Sequence, residues 1–241
     1  MVAEYHLFKA KLYPVLPFLI FQAFRIRQIR PQLPALSENL TLGNGNRKLL
    51  ILGESTAAGV GASAQRFTLA GQFFQHLGSE FQVKNLGKNG LQVHQVTSHF
   101  NKELNAIQDR FEGIMLFLGA NDCFKLTAPD KFRIELDKLI SDLKNRFSPD
   151  WIYLADIPPV HLFPAFPKLM QYFLQGQRNF LQKEMISISQ SQKEVLFDKI
   201  TLDINSDFFA SDLIHPADEG YQKIAKFTLD GLSTRGLLKL A

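Results

Sequence analysis

An α/β fold, a five-stranded parallel sheet packed between helices as a three-layer α/β/α sandwich, is the architecture this chain predicts, and three observations carry it. From residue 48 onward short apolar runs alternate with longer stretches of helical period, the signature of successive βαβ units. The apolar runs are nearly unbroken, as strands covered on both faces are, and not alternating as half-exposed strands would be. The chain has 241 residues and 46% hydrophobic content, which suits one domain with a core of ordinary size.

Taken in order, the first 47 residues stand apart as an arm and linker, and residues 48–241 form the folded domain. Within the arm, an apolar run from Leu12 to Phe24 is followed by Arg25, Arg27 and Arg30. Residues 31–45, with prolines, Asn44 and two glycines, read as a linker into the fold. Strands are expected at 49–52, 81–86, 114–118, 151–155 and 195–197. Helices are expected at 69–77, 93–108, 131–146, 169–189 and 218–232. There is no internal repeat and no low-complexity tract. In open sheets of this kind ligands bind beyond the carboxyl ends of the strands, so the segments that follow each strand are where chemistry is sought.

The formal net charge is +4, but residues 1–50 carry seven Lys/Arg against two Asp/Glu, which leaves the rest of the chain close to neutral. A nucleic-acid protein carries its basic charge as a stripe on the folded domain, so no nucleic-acid partner is expected. A single cysteine, Cys123, excludes an internal disulfide and a cysteine-based zinc site. The apolar run of the arm is too short to span a bilayer as a helix. A secretory signal would place its charge before the apolar run and a small-residue cleavage site after it, and here the stronger basic cluster follows. Two readings of the arm remain: a peripheral membrane contact through residues 12–30, with cations beside an apolar stretch, or a segment packed on the domain. A cytoplasmic location is expected, membrane-associated if the first reading holds; the alternative is a periplasmic or secreted protein.

Three segments supply the parts of a serine hydrolase. Gly53-Glu54-Ser55-Thr56 follows the first strand, Gly119-Ala120-Asn121-Asp122 follows the third, and Asp212-Leu213-Ile214-His215-Pro216 lies near the C-terminus. A serine hydroxyl is a weak nucleophile at neutral pH, so a histidine must take its proton and a carboxylate must hold the imidazole in the right tautomer. Ser55, His215 and Asp212 can fill those roles. The oxyanion then needs donors aimed where charge develops, for which Asn121 and the glycines near residue 90 are candidates. Gly53-Glu54-Ser55 is not the G-x-S-x-G nucleophile elbow, since residue 57 is alanine and the serine follows the first strand, so the α/β-hydrolase fold is not expected.

The whole pattern resembles the SGNH hydrolase family, the GDSL esterases and lipases, over roughly residues 48 to 230. The resemblance implies a flavodoxin-like fold and assigns roles by position. Ser55 corresponds to the nucleophile and, through its N–H, to one oxyanion donor. Gly90, in Asn85-Leu86-Gly87-Lys88-Asn89-Gly90, corresponds to the oxyanion-hole glycine in preference to Gly87. Asn121 corresponds to the third donor, and Asp212 and His215 to the acid and base. The family carries Asp before its serine where this chain has Glu54, which implies a changed hydrogen bond near the serine loop. No cofactor and no metal are implied.

Other residues carry less. Ser55 with Thr56 can also cap a helix, Asp212 can cap the helix after Pro216, and Asn121 with Asp122 can form a simple turn. His94 and His99 are five apart on one expected helix and so face apart, against a shared metal site. His6, His76 and His161 have no partner pattern, Cys123 reads as a small residue beside Asn121, and Asp156 is a rival for the triad acid. Residues 157–173 carry four prolines and many apolar groups past a strand end. Phe163, Phe166 and Met170 are the candidates there for a substrate wall, with core packing as the alternative. The expected substrate is a small-molecule ester or a lipid. Acyl transfer at the same site, or an inactive binding module of this fold, are the alternatives to hydrolysis.

Overall fold

The computed structural model describes residues 2–239; residue 1 and the last two residues of the domain expected over 48–241 lie outside it. Six strands form one sheet: β1 (Asn39–Leu42), β2 (Arg47–Gly53), β3 (Phe81–Gly87), β4 (Gly113–Phe117), β5 (Trp151–Ala155) and β6 (Val195–Asp198). They lie in the order β1-β3-β2-β4-β5-β6. From β3 to β6 every neighbouring pair is parallel. The strands β2, β4 and β5 are buried along nearly their whole length, which is why they read as unbroken apolar runs.

The sheet therefore has six strands where five were expected, and the extra one corrects the linker reading of residues 31–45. Strand β1 pairs antiparallel with β3, from Asn39 opposite Leu86 to Leu42 opposite Val83. Its sequence, Asn-Leu-Thr-Leu, alternates between exposed and half-buried positions. A four-residue edge strand with one wet face has no apolar run to betray it, and Lys84 reaches Asn39 Oδ1 (2.8 Å) across the pair.

Ten α-helices are described: α1 (Val2–Leu12), α2 (Leu16–Ile29), α3 (Ser55–Ala58), α4 (Leu69–Leu77), α5 (Val96–His99), α6 (Asn101–Ala106), α7 (Ala120–Phe124), α8 (Pro129–Phe147), α9 (Lys168–Ser191) and α10 (Asp218–Thr234). Helix α4 packs with α10, and α8 packs with α9, the two pairs forming the outer layers. Local chemistry sets their limits. Thr68 caps α4 by accepting from the Gly71 N–H (3.3 Å), and Pro129 opens α8 where no N–H is needed. The single helix expected over 93–108 is broken at Phe100, whose backbone leaves the helical region as its ring is buried.

The arm also departs from expectation. Residues Val2–Ile29 run as one 28-residue helix, α1 joined to α2 by a 3₁₀ turn at Tyr13–Val15. That is long and apolar enough, by length and composition, to cross a bilayer, against the reading that it was too short. The difference lies in Pro14 and Pro17, which would ordinarily stop a helix. Each falls in the first turn of its segment, where no intrahelical N–H is needed, so the helix continues through both. Its inner face is packed on the domain: Leu12 and Leu19 are 2% and 7% exposed, and Tyr5 and Phe8 meet Phe180 and Phe173 on α9.

Candidate active site

Strand β2 is where the chain reverses its direction across the sheet, with β3 on one side and β4 on the other. The crevice beyond its carboxyl end is the topological switch point, where α/β sheets place their ligands. Ser55 stands there as the first residue of α3. It does not cap that helix, because the N-cap position belongs to Glu54 and no side chain caps the turn. The turn is fixed by its backbone. The Val60 N–H donates to Ser55 O (3.1 Å), while Ser37 Oγ and Asn85 Nδ2 donate to Ala57 O at 2.8 and 2.9 Å. Ser37 lies just before β1, so the stretch read as linker supports the serine turn directly.

On one side of Ser55, the turn after β3 presents Gly90, which has φ +84° and open space where a Cβ would stand. Gly87, the other glycine of that segment, packs against the backbone of Ala58 instead. On the other side, the turn after β4 passes through Gly119, at φ +115°, into α7. A Cβ on Gly119 would meet Ile157 at 2.7 Å, so only glycine fits this turn. Asp122 ties the two sides together: its carboxylate accepts from the Val93 N–H (3.0 Å), Gln92 Nε2 (3.5 Å) and Thr127 Oγ1 (2.8 Å).

Glu54 is the centre of this arrangement. Its carboxylate accepts from the Ala120 N–H (2.8 Å), the Asn121 N–H (2.9 Å) and the Asn121 side-chain amide. It thus links the serine turn to the asparagine turn and satisfies the first amides of α7. Burial pushes its carboxyl up to about 7, against the backbone donors of Asn121 and Ala120, which favour the charged form. The folded chain therefore favours the protonated acid, so stability from this group is full below its ordinary value near 4.5 and is lost as pH rises to about 7. The shift corresponds to about 3 kcal/mol. Denaturant titrations from pH 4.5 to 8 are expected to show that decline in wild type and its removal in Glu54→Gln. The same variant is expected to lower turnover roughly tenfold, because its amide NH2 would face the Ala120 and Asn121 N–H groups and the Asn121 amide, all of which donate to the Glu54 oxygens.

Asp212 and His215 come from the loop between β6 and α10, far along the chain. Asp212 Oδ2 meets His215 Nδ1 at 2.5 Å, and Oδ1 accepts from the Ile214 and His215 N–H groups at 3.0 Å each. Asp212 is thus bonded within its own turn rather than capping α10, whose N-cap is Ala217 without a side-chain bond. Burial raises the Asp212 carboxyl, and the hydrogen bonds from the His215 ring and backbone outweigh it, so its pKa is held below the usual Asp value. The loop is closed by Ala210 N–H to His215 O (2.8 Å) and by Leu213, which adopts a left-handed φ of 59°. It is clamped to the turn after α3, where Tyr221 Oη donates to Val60 O (2.8 Å) and Ser63 binds Asp218 through its N–H (2.8 Å) and Oγ (2.5 Å).

Ser55, Gly90, Asn121, Asp212 and His215 all line one cleft of about 700 Å³. Phe163, Phe166 and Met170 line it too, so the proline-rich segment after β5 does reach the site. Phe163 packs against both Phe166 (5.8 Å) and Phe209 (5.6 Å), the latter beside the Asp-His loop. The wall that sequence reasoning missed is the N-terminal helix, which contributes Leu12, Leu16, Leu19, Ile20, Ala23 and Ile26, with Arg27 and Arg30 at its end. A signal was present: Leu12, Leu16, Leu19, Ala23 and Ile26 repeat at helical spacing, the mark of one buried stripe.

Asp156 has other work. It is buried between Arg178 (2.8 Å) and Gln182 Nε2 (2.8 and 2.9 Å) and accepts the Ile200 N–H (3.0 Å), so it is not the partner of His215. Cys123 is buried behind Asn121, and burial pushes its thiol up, which makes it inert. His99 stacks edge-on against Phe100. Among the described residues no three His, Cys, Asp or Glu side chains gather as a metal site.

Residues 51–223 match the family described as GDSL-like Lipase/Acylhydrolase. No curated protein matches the chain in sequence. Among solved structures, the psychrotrophic esterase EstA of Pseudoalteromonas sp., inhibited by monoethylphosphonate, is similar at 18% identity and TM-score 0.60, over 79% of this chain and 98% of that one. Est24, a carbohydrate acetylesterase from Sinorhizobium meliloti, is similar at 15% identity and TM-score 0.63, over 79% of this chain and all of that one. A family two carbohydrate esterase from Clostridium thermocellum, in complex with cellohexaose, is similar at 16% identity and TM-score 0.62, over 82% and 67%. At these identities the likeness is one of fold.

Proposed function

The chain belongs to the GDSL-like lipase/acylhydrolase family, a family of ester-bond hydrolases, and we propose that it cleaves carboxylic esters or thioesters through an acyl-enzyme on Ser55. The observation that carries this reading is the convergence, in one cleft, of Ser55 with the hydrogen-bonded pair Asp212 and His215. With its Nδ1 proton held by Asp212, His215 presents the other ring nitrogen as a base. That nitrogen takes the Ser55 proton as Oγ bonds to the carbonyl carbon. The N–H groups of Ser55 and Gly90 and the Asn121 amide receive the oxyanion. One hydrogen of that amide is engaged by Glu54, which leaves its second for the substrate. Collapse of the intermediate breaks the bond to the leaving oxygen or sulfur, which takes the proton from His215. Water, deprotonated by His215 in turn, then releases the acid and restores Ser55.

The acyl group is read as apolar, because Phe163, Phe166, Met170 and the inner stripe of α2 face the same cleft. The phosphonate bound to the similar EstA makes a fluorophosphonate the natural probe. Labelling that depends on Ser55, with turnover of p-nitrophenyl esters rising from acetate toward medium chains, is expected. Labelling that survives Ser55→Ala would overturn the nucleophile. A profile falling steeply from acetate would overturn the apolar acyl cleft. Alcohol acceptors added to the same assay distinguish acyl transfer from hydrolysis by their ester products.

A further inference from the structure

We propose that the outward face of the Val2–Ile29 helix docks on an anionic lipid bilayer and lies in the plane of its surface, beside the mouth of the catalytic cleft. Eight of the thirteen exposed large apolar side chains in the described structure lie on this one helix. Phe18, Phe21 and Phe24 are 53%, 57% and 58% exposed, and at three-residue spacing they share one outward face. Such a patch is not left to water in a soluble monomer without a partner.

Charge identifies the partner. Residues 1–37 contain Lys9, Lys11, Arg25, Arg27 and Arg30 against Glu4 alone. Among the described residues Arg25, Arg27 and Arg30 enter no ion pair with this chain. Apolar rings flanked by unpaired cations are the chemistry that an anionic bilayer surface complements, rings at the headgroup boundary and cations on the phosphates. The opposite face decides the orientation. Leu12 and Leu19 belong to the core, and Tyr5 and Phe8 pack against α9. Leu12 and Leu19, the two buried side chains of this helix, hold it along the domain beside the cleft, and a helix anchored to the protein in this way lies on the membrane surface.

The consequence for catalysis rests on the serine reading above. The inner stripe of this helix is one wall of the cleft that holds Ser55, and Arg27 and Arg30 stand at that wall, with Arg30 Nε buried and unpartnered among the described residues. An ester lipid in the bilayer would meet the edge of the cleft directly, its acyl chain against the apolar wall and an anionic headgroup against the two arginines. The helix then serves as membrane contact and substrate wall at once.

The test uses the full chain and the triple variant Phe18→Ser, Phe21→Ser, Phe24→Ser, none of which lines the cleft. Wild type is expected to float with phosphatidylglycerol-containing vesicles and weakly with pure phosphatidylcholine. The triple variant is expected to lose binding on the order of a hundredfold while its turnover of p-nitrophenyl butyrate and its fluorophosphonate labelling hold at wild-type level. Arg25→Glu is expected to weaken only the binding to anionic vesicles, about tenfold. Equal flotation of wild type and triple variant would overturn the proposal, as would wild type that floats with neither vesicle. A dimer in light scattering that the triple variant dissolves, without vesicle binding, would assign the face to a second copy instead. Resistance of bound protein to carbonate extraction would make the helix a membrane span and overturn the surface orientation. Flotation as expected without labelling would leave the docking in place and remove only the serine mechanism.

Discussion

Ser55→Ala is expected to abolish ester turnover, with kcat falling on the order of 10⁶-fold, while the protein unfolds at an unchanged temperature. Both halves follow from where the residue sits. None of the hydrogen bonds that shape its turn uses the Ser55 hydroxyl: Ala58 N–H to Glu54 O (2.9 Å), Val60 N–H to Ser55 O (3.1 Å) and the Ser37 and Asn85 side chains onto Ala57 O. Removing Oγ leaves all of these intact, and alanine is the better helix former at the start of α3. The groups proposed as oxyanion donors and the apolar wall also survive, so substrate binding is expected to persist with KM little changed. Steady-state hydrolysis of p-nitrophenyl butyrate beside a thermal scan makes the check. Turnover within tenfold of wild type in a folded variant would remove Ser55 from the mechanism.

Asp212→Asn is expected to lower kcat on the order of 10⁴-fold with the loop still in place. An amide oxygen in place of Oδ1 still accepts from the Ile214 and His215 N–H groups, so the turn through Leu213 holds. The amide nitrogen then stands where Oδ2 stood and donates to His215 Nδ1. The ring must carry its proton on the other nitrogen, the one that should accept from Ser55, and the base is lost without being moved. The same substitution changes the acid limb of stability. The Asp212 pKa is held below its ordinary value, so its contribution is present above the unfolded-state value of about 4 and is lost as pH falls through the lower folded value. Unfolding followed from pH 6 to pH 2 is expected to show a shallower acid decline in Asp212→Asn than in wild type. Parallel curves would mean that the Asp212 to His215 bond adds nothing to the fold.

The strands β2, β4 and β5 were legible because each is covered on both faces along nearly its whole length and is apolar there. Helices α4, α8, α9 and α10 were legible because each exposes one side and buries the other, which writes a 3.6-residue period into the chain. Strand β1 was not: its fit to the edge of β3 depends on where β3 ends and on the backbone groups exposed there, which no local pattern records. The break at Phe100 is of the same kind, set by the burial of one ring.

For the candidate site, the residue types were local and readable. Ser55 after the first strand, Asn121 after the third and the Asp212 to His215 spacing each follow from what the proposed chemistry requires within a few residues. Glu54 was read as an altered hydrogen bond beside the serine. The fold makes it the link that receives the first two amides of α7 and the Asn121 side chain, across 66 and 67 positions of sequence. The clamp from Tyr221 to Val60 spans 161 positions.

The sequence by itself determined the α/β class, the core strands and the set of groups proposed for catalysis, because periodicity and side-chain chemistry are properties of neighbouring residues. The tertiary structure alone decided that the N-terminal segment packs on the domain as a wall of the cleft, and that Pro14 and Pro17 sit where a helix tolerates them. Those outcomes depend on which surface an apolar stripe can reach. Only the packed chain, with α9 and the cleft rim set beside Leu12 and Leu19, supplies that surface.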